Sequence, residues 1–336
     1  MSRDYVSFDD VLIEPQYSTV RSRGDVSLKT QLCDGFELDL PIIASNMDTV
    51  CELDMAIAMS KLGGLGVIHR NLIHANRIRC IRQLTSMGLA SAVAMGVNEL
   101  RLAPMKRYIE AGVSCVVLDI AHGDSIHALE AVEQLRRMSD QNDGSVCIIG
   151  GNVATADAVG RMANAGAHCV KVGIGPGAAC LTRTNTGVGI PQLSAILECS
   201  HAADLQGVGC IADGGMKTPG DIAKALAAGA DAVMLGGMLA GTLESPGDIV
   251  EVDGDKFKTY RGMASNGAGS MYIEGAEGLV EYKGEVGGVV SEITNGLRSA
   301  FSYVGASDMV EYHSKATFVR VSTASILENG AHGTIT

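Results

Sequence analysis

The chain has 336 residues, with Lys+Arg 26 against Asp+Glu 38, a net charge of −12. That balance excludes a binder of nucleic-acid backbones, which needs a basic face, and no uncharged apolar run reaches the roughly 18 residues of a membrane helix. A hydrophobic content of 46% excludes disorder, and 42 glycines with 4% aromatics and no Trp predict an aliphatic core with glycine-rich loops.

In chain order, eight short apolar runs read as strands: Pro41–Ser45, Leu65–His69, Ser91–Gly96, Cys115–Ala121, Val146–Gly150, Cys169–Gly173, Gly209–Ala212 and Ala232–Leu235. Most start about 23 to 30 residues apart, one strand plus one helix. Helix-period segments fill the gaps, among them Leu53–Leu62, His74–Thr85, Asp157–Ala165 and Pro219–Ala228, the last capped by Thr218. Ala111-Gly112-Val113, Ala165-Gly166-Ala167 and Ala228-Gly229-Ala230 repeat one motif, with Gly just past a helix end. Eight βα units predict a (β/α)₈ TIM barrel rather than a doubly wound sheet, because Asn46-Met47-Asp48 after the first strand is no phosphate loop. Nine cysteines without short paired spacings, and a Met1-Ser2-Arg3-Asp4 start without an apolar leader, predict a reduced, cytoplasmic protein.

Chemistry in such a barrel sits at the C-terminal ends of the strands. Asp213-Gly214-Gly215 and Gly236-Gly237 follow strands seven and eight, where barrels hold phosphate on backbone N–H groups. Asp213 cannot face a phosphate dianion, so it is expected to accept from a ribose diol. This pattern alone fits a flavin-binding barrel equally well. About 40 residues separate strands six and seven, and the excess holds Gly173-Ile174-Gly175-Pro176-Gly177-Ala178-Ala179-Cys180-Leu181-Thr182-Arg183. Cys115, Cys147, Cys169 and Cys210 fall inside strands and read as small core residues. Cys180 falls in a glycine-rich loop on the catalytic face, a place for a thiolate nucleophile. Inward carbonyls of that loop could also hold a monovalent cation.

Gly175-Pro176-Gly177-Ala178-Ala179-Cys180-Leu181-Thr182-Arg183 with Thr186-Gly187-Val188-Gly189 resembles the catalytic loop of the IMP dehydrogenase/GMP reductase family. Phe8-Asp9-Asp10-Val11-Leu12, Asn46-Met47-Asp48-Thr49-Val50, Ala212-Asp213-Gly214-Gly215 and Arg261-Gly262-Met263 extend the resemblance. Glu277-Gly278 with Tyr282-Lys283-Gly284 ends it, so it covers nearly the whole chain. The resemblance implies one barrel with an N-terminal extension and a mobile flap over about 253–285 after strand eight. It also implies a homotetramer, a purine nucleotide (GMP or IMP) as ligand, NADP(H) and K⁺. Cys180, Thr182 and Glu277 would be catalytic, with Glu277 tuning the Thr182 hydroxyl. Asn46, Met47, Asp213, Gly214, Gly215, Gly236, Gly237, Gly262, Met263 and Gly278 would bind the nucleotide. Ser22, Arg23, Arg70, Asp119, Ile120, Ala121, Ile174, Gly175, Tyr303 and Gly305 would bind the cofactor, partly from a neighbouring subunit. Gly175, Gly177 and Cys180, with Arg183, would form the K⁺ site.

The resemblance also favours a branch. Dehydrogenases of the family usually carry a CBS-domain pair after the second strand, and here strands two and three are about 26 residues apart. They also present an Arg-Tyr pair in the flap, whose Arg activates water. Residues 263–276 contain no Arg, and Met271-Tyr272 stand at that place. The resemblance therefore implies a GMP reductase, the alternative being an IMP dehydrogenase without CBS domains. Two departures stand out: Ala264 replaces a ligand-contacting Ser, and Glu274 stands where many reductases have an Arg near the nucleotide.

Overall fold

The computed structural model describes residues 4–99, 104–142, 144, 146–268 and 273–322. Eight parallel strands close into a barrel: β1 (Ile42–Ala44), β2 (Leu65–Ile68), β3 (Ala92–Met95), β4 (Cys115–Leu118), β5 (Cys147–Val153), β6 (Cys169–Val172), β7 (Gly209–Asp213) and β8 (Ala232–Leu235). The sheet closes where β8 pairs with β1, Met234 opposite Ile43. The strands are nearly continuous aliphatic runs because both of their faces are covered. On β1, Ile43 points into the barrel while Ile42 and Ala44 pack outward against the helices.

Helices α1 (Leu53–Lys61), α2 (His74–Ser86), α3 (Pro104–Glu110), α4 (Ile126–Asp140), α5 (Ala156–Asn164), α6 (Gln192–Gln206), α7 (Pro219–Ala227) and α8 (Val286–Val304) form the outer ring. Thr218 caps α7 as the sequence predicts: its hydroxyl accepts from the Asp221 N–H, Asp221 answers to the Thr218 N–H, and Pro219 opens the helix. Gly112, Gly166 and Gly229, the repeated motif, all have positive φ at helix ends.

All eight predicted strands are present, with two revised ends. β5 runs on to Val153, through Gly151 and Asn152, because its pairing with β6 continues across an irregularity. β4 stops at Leu118, leaving Asp119-Ile120-Ala121 as a loop at the barrel mouth.

Three small sheets escaped the periodicity argument, being too short to show one. Val11–Ile13 pairs with Phe318–Arg320, tying both ends of the described chain together. A hairpin, Thr30–Cys33 with Phe36–Leu38, closes the N-terminal floor of the barrel, inserting Leu32 and Leu38 among Ile43, Leu65 and Ile211. After β8, strands β9 (Val250–Val252), β10 (Asp255–Arg261) and β11 (Glu277–Glu281) form an antiparallel sheet within the expected flap. Met271 and Tyr272, the pair compared with a dehydrogenase Arg-Tyr, lie outside the described residues. Among the described residues, no helix is long and apolar enough to cross a membrane.

The floor hairpin has little structure of its own, so its value lies in what Leu32 buries. Leu32→Ala is expected to cost about 2–5 kcal/mol, as for other fully buried leucines, read as a lower urea midpoint at unchanged slope. Equal midpoints would show that the hairpin does not seal the barrel.

Candidate active site

The site is assembled where two segments cross. The Gly-rich loop after β6 meets the segment between β10 and β11, and their backbones join. Ala276 N–H donates to the Ala179 carbonyl at 2.8 Å and Leu181 N–H to the Glu274 carbonyl at 2.7 Å, with Cys180 bridged to Gly275 between them. One glycine permits the approach and a second permits the fold of the β10–β11 segment on itself. A Cβ on Gly262 would lie 2.8 Å from the Ala179 oxygen, and one on Gly275 would lie 2.9 Å from the Ser265 nitrogen.

This crossing sets the catalytic geometry. Cys180 Sγ donates to Thr182 Oγ1 at 3.2 Å, and Thr182 Oγ1 donates to Glu274 Oε2 at 2.6 Å. The partner of Thr182 is therefore Glu274, and the expectation for Glu277 is corrected. Glu277 is exposed at the start of β11, opposite Arg261, with its carboxylate near Gly267. The sequence offers Glu-Gly twice, at 274–275 and 277–278. Only the backbone pairing of Leu181 with Glu274 selects the first. The same contact answers the expectation that Glu274 replaces an arginine beside the nucleotide: its carboxylate is engaged by Thr182.

Two adjoining cavities open at the C-terminal ends of the strands. The larger, about 940 Å³, is lined by Met47, Asp213-Gly214-Gly215, Gly236-Gly237, Tyr260, Glu277-Gly278 and Lys283. The second, about 580 Å³, is lined by Asn46, Arg70, Asp119-Ile120-Ala121, Ile174-Gly175, Cys180, Thr182, Gly262-Met263 and Glu274. Ser45, Met47, Gly177, Ala179, Asp213, Gly214 and Tyr260 line both. The structure thus brings the expected residues to one mouth and sorts them. Gly262 and Met263, expected on the nucleotide, line the second cavity. Ser22, Arg23, Tyr303 and Gly305 line neither. They cluster elsewhere, with the Arg23 guanidinium 6.0 Å from the centre of the Tyr303 ring.

The phosphate-loop expectation has a matching backbone, since Gly214 and Gly215 adopt φ of +89° and +86°. Lys283 Nζ donates to the Gly237 and Met238 carbonyls at 2.9 and 3.0 Å, adding a cation beside the second loop. Asp213 is held from below by a lysine that sequence reading missed. Lys171 is buried in β6, and its Nζ donates to Asp213 Oδ2 at 2.7 Å and also to Asn152 Oδ1. Asn152 Nδ2 donates to the same Asp213 oxygen at 2.9 Å. The available signal was a charged residue inside an apolar strand, Cys169-Val170-Lys171-Val172.

Tyr260 was also missed. Burial pushes its phenol up to about 12, so it remains a donor between the two cavities. Three guanidiniums near the mouth are committed. Arg261 donates to Asp48 at 2.8 Å and Arg70 to Asp119 at 2.7 Å. Arg183 Nε donates to the Ile174 carbonyl at 3.1 Å, and its Nη2 to that of Ile190. Arg183 therefore braces the loop from within. Its guanidinium is donor-only, so a share of Arg183 in the expected K⁺ site would fall to its backbone carbonyl.

Comparison with known proteins agrees with this geometry. The profile described as "IMP dehydrogenase / GMP reductase domain" matches residues 5–332. The chain belongs to the IMP dehydrogenase/GMP reductase family. It is 38% identical to a GMP reductase of Vibrio cholerae, over 98% of this chain and 97% of that protein. It is 37% identical to an inosine-5'-monophosphate dehydrogenase of Cryptosporidium parvum, over 97% and 94%. The crystal structure of a cysteine-to-alanine variant of GMP reductase from Trypanosoma brucei, in complex with guanosine 5'-monophosphate, superposes with a TM-score of 0.93, at 32% identity and 99% coverage of both chains. Members of the family with either activity are thus equally similar, and only the site can separate them.

Removing the lysine tests the support beneath Asp213. Lys171→Met is expected to cost about 1–3 kcal/mol of stability, because it strands a partly buried carboxylate. It should also weaken nucleotide binding, measured by titrating GMP into the variant. Unaltered GMP affinity would show that Asp213 needs no such anchor.

Proposed function

We propose that this chain is a GMP reductase. It would catalyse NADPH-dependent reductive deamination of GMP, or a close 2-aminopurine nucleotide, to IMP with release of ammonia. The observation that carries the reading is the Cys180–Thr182–Glu274 chain in the wall of the second cavity. The larger cavity takes the phosphate, on the Gly214-Gly215 and Gly236-Gly237 loops, with ribose on Asp213 between the cavities and the base in the second cavity beside Cys180. Asn46, Met47 and the segment around Gly262-Met263 and Gly278 face the base.

Direct displacement of an aromatic amine is slow because amide is a poor leaving group; a covalent step divides the barrier. Cys180 Sγ bonds to purine C2. Its proton passes through the Thr182 hydroxyl to Glu274, and returns by the same route to the 2-amino group. The C2–N bond breaks, ammonia leaves, and a thioimidate remains on Cys180. This half-reaction is proton-neutral, since the thiol proton departs with the amine. When bound, NADPH supplies hydride to C2. The C2–S bond then breaks, IMP is released, and the Cys180 thiolate takes a proton.

Arg70, Asp119, Ile120, Ala121, Ile174 and Gly175 present a mixed polar and apolar wall opposite Cys180, which fits a nicotinamide. Ser22, Arg23, Tyr303 and Gly305 fit the adenosine end of a cofactor bound to a neighbouring subunit of a homotetramer, with Arg23 suited to a 2′-phosphate. The carbonyls of Gly175, Gly177 and Cys180 are the oxygen set for K⁺. One lone pair of the Gly177 carbonyl is used by the Cys180 N–H at 3.0 Å, leaving the second for an ion. Nine free thiols and a thiol-dependent reaction suit the reducing cytoplasm.

The reductase reading is favoured over a dehydrogenase because, among the described residues, no arginine lining the mouth is free to activate water. Residues 263–276 hold no Arg, and Arg70, Arg183 and Arg261 are engaged with Asp119, two carbonyls and Asp48. A thioimidate that meets no free guanidinium is spared that route to hydrolysis until hydride arrives.

Cys180→Ala is expected to abolish turnover while still binding GMP; turnover by this variant would end the covalent scheme. Glu274→Gln and Thr182→Ala should slow ammonia release by about 10²–10⁴-fold, more than they slow hydride transfer. Glu277→Gln should leave ammonia release within a few-fold of wild type. A larger effect at Glu277 than at Glu274, in single-turnover ammonia assays, would restore the relay expected from the sequence. Incubated with IMP and NAD⁺, the enzyme is expected to give at most one partial turnover and no sustained XMP by chromatography. Steady XMP formation would make it a dehydrogenase.

A further inference from the structure

At the opposite end of the barrel lies a second concentration of sulfur. Cys115, Cys147 and Cys169 are the first residues of β4, β5 and β6, three adjacent strands, and all point inward. The floor hairpin brings Cys33 down onto them. Cys33 Sγ lies 3.2 Å from Cys147 Sγ, and the sulfurs of Cys33, Cys147 and Cys169 all fall within 4.8 Å of one another. Sequence reading treated the strand cysteines as filler, but filler does not require four thiols to converge from four elements.

We propose that Cys33, Cys147 and Cys169 form a binding site for one soft divalent d¹⁰ cation of the zinc class, clamping the hairpin to the barrel floor. Zn–S bonds of about 2.3 Å at the tetrahedral angle place sulfurs about 3.8 Å apart, within the spread found here. Three thiolates and one dication leave a net charge of −1, whereas a monovalent ion would leave −2, so the partly enclosed setting favours the dication. Cys147 and Cys169 are buried and Cys33 is half-exposed, which gives the ion a route past the hairpin. The fourth position falls to Cys115 or to solvent on the Cys33 side. Because the ligands bind as thiolates, taking up the metal would expel the thiol protons.

The test uses Cd²⁺ as probe on reduced, full-length Cys180→Ala protein, so that the catalytic thiol cannot take the metal. One Cd²⁺ per chain, with a thiolate-to-cadmium charge-transfer band and a raised Tm, is the expected result. Adding Cys33→Ser, which alters only the half-exposed ligand, should weaken Cd²⁺ by more than the roughly 10–100-fold typical of outer-shell changes. It should also remove the Tm increase. Cys210→Ser, a buried cysteine outside the cluster, should retain the band; if that variant does not fold, Cys199→Ser serves the same purpose. Equal Cd²⁺ binding with and without Cys33, no band at all, or a Cys33–Cys147 disulfide that forms in air and binds no metal would each overturn the proposal.

Discussion

Two backbone hydrogen bonds, Ala276 N–H to Ala179 and Leu181 N–H to Glu274, organise the functional half of this molecule. They bind the loop that carries the nucleophile to a segment far along the chain, and the side-chain bond they set up joins residues 92 positions apart. They put a carboxylate on Thr182, and so give Cys180 a route for its proton. They also form part of the wall between the two cavities. Glycine at 262 is what lets the two backbones come this close, and glycine at 275 lets the second segment fold against itself.

The barrel end supplies the other half of the site, and there the polar groups are cross-braced. Lys171, Asn152 and Asp213 come from β6, β5 and β7 and satisfy one another beneath the nucleotide cavity. Such groups would be costly at this depth if left unpaired. Joined, they fix one Asp213 oxygen and leave the other for a ligand. The engaged arginines act in the same sense. Each spends its charge on a carboxylate or a carbonyl, and none of the three is left free beside Cys180.

Similarity alone leaves the activity open, because reductases and dehydrogenases of the family match this chain equally well over nearly their whole lengths. What separates the two chemistries is whether water can be activated at the covalent intermediate. That is a property of a few side chains near Cys180, not of the fold.

The sequence by itself determined the barrel, because eight aliphatic runs alternating with helices bury both faces of their strands in only a few ways. It also singled out Cys180 and the two glycine loops as candidates, since a loop thiol and a glycine cradle leave local marks in composition. Cap and turn residues such as Thr218 and Gly229 were legible for the same reason. The identity of the carboxylate was not. Glu274-Gly275 and Glu277-Gly278 are locally equivalent, and only the long-range pairing with Leu181 distinguishes them. Lys171 and Cys33 passed unread, and Cys115, Cys147 and Cys169 were read as core filler, because their meaning lies in which strands become neighbours. Tertiary structure decided these cases, since a hydrogen-bond partner is set by distance in space, and sequence patterns report only distance along the chain.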